Sequence, residues 1–158
     1  MSRSSFGKSC ALGLVAVAAL VSACDSWLDT PRPGVVATGS PEELAQRLQG
    51  TWLRDFAEDG VRSRHLLVLA ADGAFRETVR VTGTDDVVTE YVHEGTWLFD
   101  GTNLKRKYTS IDGKPPSRLN LPFATFQITF DSPREFRGVD HIHRNEIDYR
   151  RVSDDTQP

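Results

Sequence analysis

The chain has 158 residues, 19 basic and 22 acidic side chains, a formal net charge of −3 and no block of Lys and Arg. A mildly acidic chain without a basic stripe lacks the electrostatic footprint of a nucleic-acid binder. Both cysteines, Cys10 and Cys24, fall in the opening segment, so whatever folds after them has no thiol, disulfide or cysteine metal site.

The opening segment has the three parts of an export signal: a positive start at Arg3 and Lys8, an apolar run from Ala11 to Val21, then small residues, with no acid before Asp25. A run of about 11 residues spans only about 16 Å as a helix, roughly half of a bilayer's hydrocarbon core, so it is too short for a stable transmembrane anchor. The segment Val21-Ser22-Ala23-Cys24 resembles the bacterial lipobox, an aliphatic residue and two small ones before the cysteine that receives diacylglycerol. The resemblance implies a signal peptide over residues 1–23, cleavage before Cys24 and a lipoprotein held on a membrane by the acyl chains on that cysteine. The alternative is an ordinary secretory signal with an incidental cysteine. Asp25 resembles the enterobacterial signal that retains lipoproteins in the inner membrane. That favours the periplasmic face of the inner membrane over the outer membrane, although other bacterial groups use other rules. Cleavage removes Arg3 and Lys8 but no acid, leaving 17 basic against 22 acidic residues and a net charge of −5.

Residues 24–39 hold Pro31, Pro33 and Gly34 and few bulky side chains, the composition of an extended tether. Ser40-Pro41-Glu42-Glu43 then supplies a capping serine, a proline for the first helical turn and a glutamate placed to bond back, so a short helix is expected to about Leu48. From Gly50 onward, short β-rich runs alternate with turn residues, the spacing of an all-β sandwich or barrel and not of βαβ units. About eight strands are expected, near Thr51 to Phe56, Arg64 to Ala71, Phe75 to Thr82, Val87 to Phe99, Leu104 to Ser110, Phe123 to Phe130, Glu135 to His143 and Ile147 to Val152. Asp72-Gly73 and Asp100-Gly101 suit tight hairpins; Gly83 to Asp86, Asp131-Ser132-Pro133 and Arg144-Asn145 are polar turn clusters. Consecutive hairpins favour an antiparallel up-and-down meander, and closing it removes its exposed edges. The folded domain is expected over residues 40–152, with 153–158 as a tail too short for a further helix.

Gly50-Thr51-Trp52 after a short helix, Asp72-Gly73-Ala74-Phe75 in the first long hairpin, Gly95-Thr96-Trp97 midway and Tyr149-Arg150-Arg151-Val152 at the end together resemble small bacterial lipocalin-like (calycin-type) domains, over about Leu44 to Val152. The resemblance implies an eight-stranded barrel in which the first-strand tryptophan packs under the base and an arginine near the chain's end lies across it. Trp52 with Arg150 or Arg151 would form that closure, a contact of about 0.5–2 kcal/mol. The family binds small molecules without catalysis, which makes ligand carriage the first expectation.

Alternation along the strands indicates which side chains share a face. Tyr91, His93, Trp97 and Phe99 fall together provided that Gly95 introduces no bulge; Phe75, Glu77, Val79 and Val81 form a second set, and Leu104, Arg106 and Tyr108 a third. With these faces inward, Glu77, Tyr91, His93, Arg106 and Tyr108 make a polar lining for a small polar or acidic ligand, with Arg106 as the charge partner. The alternative is a Glu77–Arg106 pair that satisfies itself. His141-Ile142-His143 would place two imidazoles on one strand face, but a third ligand is missing and a solvent-facing pair is the plainer reading; no metal is expected. The connection from Ile111 to Leu121 has a basic approach through Lys105, Arg106, Lys107, Lys114 and Arg118, either a surface for an anionic partner or simply solvated charge. There is no Gly-x-Ser-x-Gly elbow, phosphate loop or dinucleotide fingerprint, so neither an enzyme nor a cofactor is expected. The partners that remain are the membrane through Cys24 and either a small molecule or another envelope protein met by a solid barrel.

Overall fold

A computed structural model describes residues 39–117 and 122–158. The signal segment, Cys24 and the tether lie outside the described residues, as do Arg118 and Leu121. Among the described residues one helix, α1 (Pro41–Leu48), precedes eight strands: β1 (Gly50–Glu58), β2 (Val61–Leu69), β3 (Ala74–Thr82), β4 (Val88–Phe99), β5 (Asn103–Ile111), β6 (Phe123–Ser132), β7 (Glu135–Asp140) and β8 (Glu146–Arg151). Every strand pairs antiparallel with its neighbour in sequence, and β8 returns to β1 through Trp52 opposite Arg151, which closes the barrel. Among the described residues no helix is long and apolar enough to cross a membrane.

The helix starts where the sequence places it, because both halves of the capping box form. The Glu43 amide donates to Ser40 Oγ at 3.2 Å, and the Ser40 amide donates to Glu43 Oε2 at 2.8 Å. Leu48, on its last turn, is fully buried in the barrel's base with Trp52, Leu67, Leu69, Phe75, Trp97, Leu104, Phe130 and Phe136. Both deep indoles find acceptors: Trp52 Nε1 donates to the Leu48 carbonyl at 2.7 Å and Trp97 Nε1 to the Ala70 carbonyl at 2.9 Å. Arg151 lies over the Trp52 ring, its guanidinium carbon 4.3 Å from the centroid, and donates to the carbonyls of Gln49 and Arg47 at the end of α1. It therefore does two jobs, shielding the indole and satisfying carbonyls that the helix end leaves over. Arg150 points the other way and pairs with Asp55 at 3.2 Å on the outer wall.

Gly95 introduces no bulge on its own strand. The ladder between β4 and β5 slips instead on β5, where Glu94 faces Ser110 but Gly95 faces Tyr108, so Thr109 is the extra residue. The slip lies beyond Tyr108, so Leu104, Arg106 and Tyr108 keep one phase and Ile111 comes opposite His93. Gly95 is required by proximity: a Cβ there would stand 1.9 Å from the Lys107 carbonyl oxygen and 2.8 Å from the Phe75 ring. Most expected strand ends shift by a residue or more, and β1 runs on to Glu58 while β2 spans Val61–Leu69, after a turn at Asp59 and Gly60 that the expected bounds left as a longer connection. β6 runs on through Asp131 and Ser132, leaving Pro133 and Arg134 to turn the chain, and β7 stops at Asp140, so His141 and His143 lie in a turn and not on a strand.

The up-and-down path puts α1 and the β2–β3, β4–β5 and β6–β7 turns at one end, the base. The opposite end, the mouth, carries the β1–β2, β3–β4 and β7–β8 turns and the connection that follows β5. Inward-facing residues become steadily more exposed toward the mouth. On β1 and β4, Trp52 is sealed and Phe56 is 45% exposed, while Trp97 is 9% exposed and Tyr91 42%. The interior is packed at the base and opens at the mouth.

Candidate functional site

Between the apolar base and the mouth lies a layer of buried charge centred on Glu77 of β3. Glu77 is 4% exposed and Arg106 of β5 5%, and both point inward because they share strand parity with the buried Phe75 and Leu104. Arg106 NH1 donates to Glu77 Oε2 at 2.9 Å, and the Tyr149 hydroxyl of β8 donates to Oε1, also at 2.9 Å. Two imidazoles flank the carboxylate: His65 of β2 places Nδ1 3.3 Å from Oε1, and His93 of β4 places Nδ1 3.7 Å from Oε2. Pairing explains the convergence. His93 stands directly opposite Glu77, and His65 lies one inward position diagonally across on the other neighbouring strand, opposite Val79.

Burial pushes the Glu77 carboxyl up, but the Arg106 guanidinium and then the hydrogen bonds from His65 and His93 outweigh it and hold Glu77 well below the usual carboxylate range. Burial draws Arg106 down, and the adjacent Glu77 charge more than reverses that. Tyr149 is driven well above its ordinary value, first by burial and then by the same carboxylate, so it remains a hydroxyl donor. Arg106 also lies against three rings, with Phe126, Phe75 and Tyr108 centroids 5.1, 5.5 and 5.6 Å from its guanidinium carbon. Its sealed Nε has no hydrogen-bond acceptor, and the cation–ring contacts offset part of that cost.

All five lining residues expected from the sequence face the interior, at different depths. Glu77 and Arg106 form the sealed layer. Tyr108 packs edge-on against Phe75 and His93, with centroids at 5.3 and 5.8 Å, and Tyr91 stands at the rim. Arg106 is committed to Glu77, so it is not free to serve as the charge partner of a ligand. The sequence reading missed His65, Tyr149 and Arg54. His65 alternates with the buried Leu67 and Leu69, a signal that could have found it. Tyr149 alternates with Ile147 but was absorbed into the closing motif. Arg54 alternates with Trp52, faces His65 across the pair and rests over the Phe56 ring at 5.5 Å, which makes it an inward cation nearer the mouth than Arg106.

Both imidazoles turn Nδ1 toward Glu77, His65 within hydrogen-bond distance at 3.3 Å and His93 beyond it at 3.7 Å. The Nε2 atoms make no hydrogen bond among the described residues and are not sealed; the side chains are 20% and 26% exposed. The arrangement presents two imidazole Nε2 atoms beside a buried carboxylate, with Arg54 as a nearby cation.

The other candidates separate. His141 Nε2 meets Asn103 Oδ1 at 3.0 Å, whereas His143 Nδ1 meets Asp140 Oδ2 at 2.9 Å, so the two rings go to different partners. Among the described residues no group of three His, Cys, Asp or Glu could hold a metal. The basic approach to the long connection also divides: Arg106 turns inward, and Lys105 sits near the base on Asp100 at 2.7 Å. No protein-family model matches the chain, and no curated protein matches it.

Proposed function

We propose that this is a lipid-anchored envelope lipoprotein whose lipocalin-like barrel binds a small polar molecule at its mouth without catalysis. The observation that carries this reading is the Glu77 carboxylate flanked by His65 and His93 at the boundary between packed base and open mouth. A barrel needed only as a scaffold gains nothing from such a layer, since apolar residues of similar volume serve stability as well. Held in this way, the two imidazoles accept hydrogen bonds from a hydroxyl or amine of the ligand, and Arg54 meets an acidic group. Sites of this kind are concave, with a few placed polar groups among apolar ones.

A second reading, an interaction module docking another envelope protein, is favoured by the rim. Phe56, Val61, Val87, Val88 and Tyr91 are all more than a third exposed, and all lie toward the mouth. Native mass spectrometry of the protein purified from its own host distinguishes the two. A reproducible added mass of small-molecule size that disappears in His65→Ala/His93→Ala supports ligand carriage. Its absence across independent preparations, with a co-purifying protein in its place, supports the interaction module.

A further inference from the structure

The outer wall of β1–β3 carries a second constellation that the mouth does not use. Strand pairing sets Asp55, Arg64 and Arg80 side by side on the outward face, with Arg62 and Thr82 one step nearer the mouth. Together with Pro158 of the tail they line a groove of about 540 Å³. The tail reaches this wall along a bonded path. The Val152 amide donates to the Thr51 carbonyl at 2.9 Å, Thr51 Oγ1 donates to Asp154 at 2.5 Å, and Arg80 NH1 donates to the Pro158 carbonyl at 3.4 Å.

Charge in the groove does not balance. Three guanidiniums face the Asp55 carboxylate and a main-chain oxygen of Pro158, the last residue of the sequence; Asp55 is shared with Arg150, 3.2 Å away, while standing 3.8 Å from Arg64 Nε. That distance is too long for a hydrogen bond, and Arg64 Nε is sealed without an acceptor. Arg76, on the same face of β3 but outside the groove, pairs with Glu94. At the groove, by contrast, Glu90 of β4 stands opposite Arg80 without an ion pair to it among the described residues, and Asp55 divides itself between Arg64 and Arg150. Guanidinium forks match oxyanions that accept two parallel bonds, and Thr82 adds a hydroxyl donor.

We propose that this outer groove is a binding site for a phosphate-class oxyanion, held by Arg62, Arg64 and Arg80, with the Pro158 carbonyl occupying one acceptor position when the anion is absent. The chemistry fits a free phosphate or the phosphodiester of a lipid headgroup. The three arginines lie on the outward face, while Phe56 of the rim also borders the groove.

Equilibrium titration of the full-length protein in neutral detergent with inorganic phosphate, and in parallel with the soluble diester glycerophosphoglycerol, tests the assignment. The expected result is saturable binding of at least one anion that weakens about tenfold or more in Arg64→Gln and in Arg80→Gln, a loss of 1.4 kcal/mol or more. Arg76→Gln is expected to bind as the wild type does. Phosphate binding alone identifies a free anion as the source, and diester binding of equal or greater strength identifies a headgroup. Among the described residues Arg80 makes a single hydrogen bond, to a main-chain oxygen of Pro158, so Arg80→Gln remains a fair test even if Arg64→Gln perturbs folding. No saturable binding of either anion, or equal weakening by Arg76→Gln, overturns the proposal.

Discussion

At the scale of single residues, the buried carboxylate sets the strongest expectations. Glu77 has a folded-state pKa below its unfolded value, so the stability it contributes is fully present above the ordinary carboxyl pKa of about 4.3 and is lost as the pH falls through the lower folded value. Thermal melts followed by near-ultraviolet circular dichroism should show the midpoint falling below about pH 4.3, with the Glu77→Gln variant lacking this component of the acid slope. At neutral pH, Glu77→Gln strands a buried guanidinium and should cost about 3–5 kcal/mol in urea unfolding, whereas Glu77→Leu/Arg106→Met should recover most of that loss. A double variant no more stable than the single one would show that the pair contributes net stability of its own. Arg151 and Arg150 offer a second contrast. Arg151→Ala removes two charge-assisted hydrogen bonds and a cation–ring contact and should cost about 2–4 kcal/mol, while Arg150→Ala breaks an exposed pair and should stay within about 1 kcal/mol.

At the scale of elements, glycines show where the barrel tolerates no side chain. Gly95→Ala drives a Cβ into the β5 backbone and should cost about 2 kcal/mol or more, with hydrogen-exchange protection lost first along β4 and β5. Gly113→Ala meets no atom and bears only its left-handed backbone, with φ of +74°, so about 1 kcal/mol is expected. The same elements show what was legible beforehand. The capping box and the period-two runs after Gly50 encode local geometry, so helix, strand number and meander order could all be read. The ends of β6 and β7 could not, because pairing decides them: Ser132 and Glu135 still face each other, while Asp140 is the last β7 residue with a partner on β6. The slip at Thr109 was equally hidden, as it depends on the shortage of space opposite Gly95. Parity within a strand assigned Glu77, His93 and Arg106 to one interior. The convergence of His65 and Tyr149 on the same carboxylate needed the register across strands, which no single strand reveals.

At the scale of the whole molecule, address and activity are separate expectations. The anchor rests on Cys24, so Cys24→Ala should release the protein from the membrane pellet on fractionation, and its continued presence there would contradict lipidation as the means of attachment. The mouth reading requires that the barrel stay closed and rigid around the Glu77 layer while its rim stays accessible. The most direct test is the ring-nitrogen NMR spectrum of His65 and His93 at neutral pH. Both rings are predicted to sense the Glu77 carboxylate through Nδ1, with ring-nitrogen shifts that change in Glu77→Gln and change again when the co-purified molecule is added back. Nitrogen shifts unchanged both in Glu77→Gln and on adding the molecule back would contradict the account.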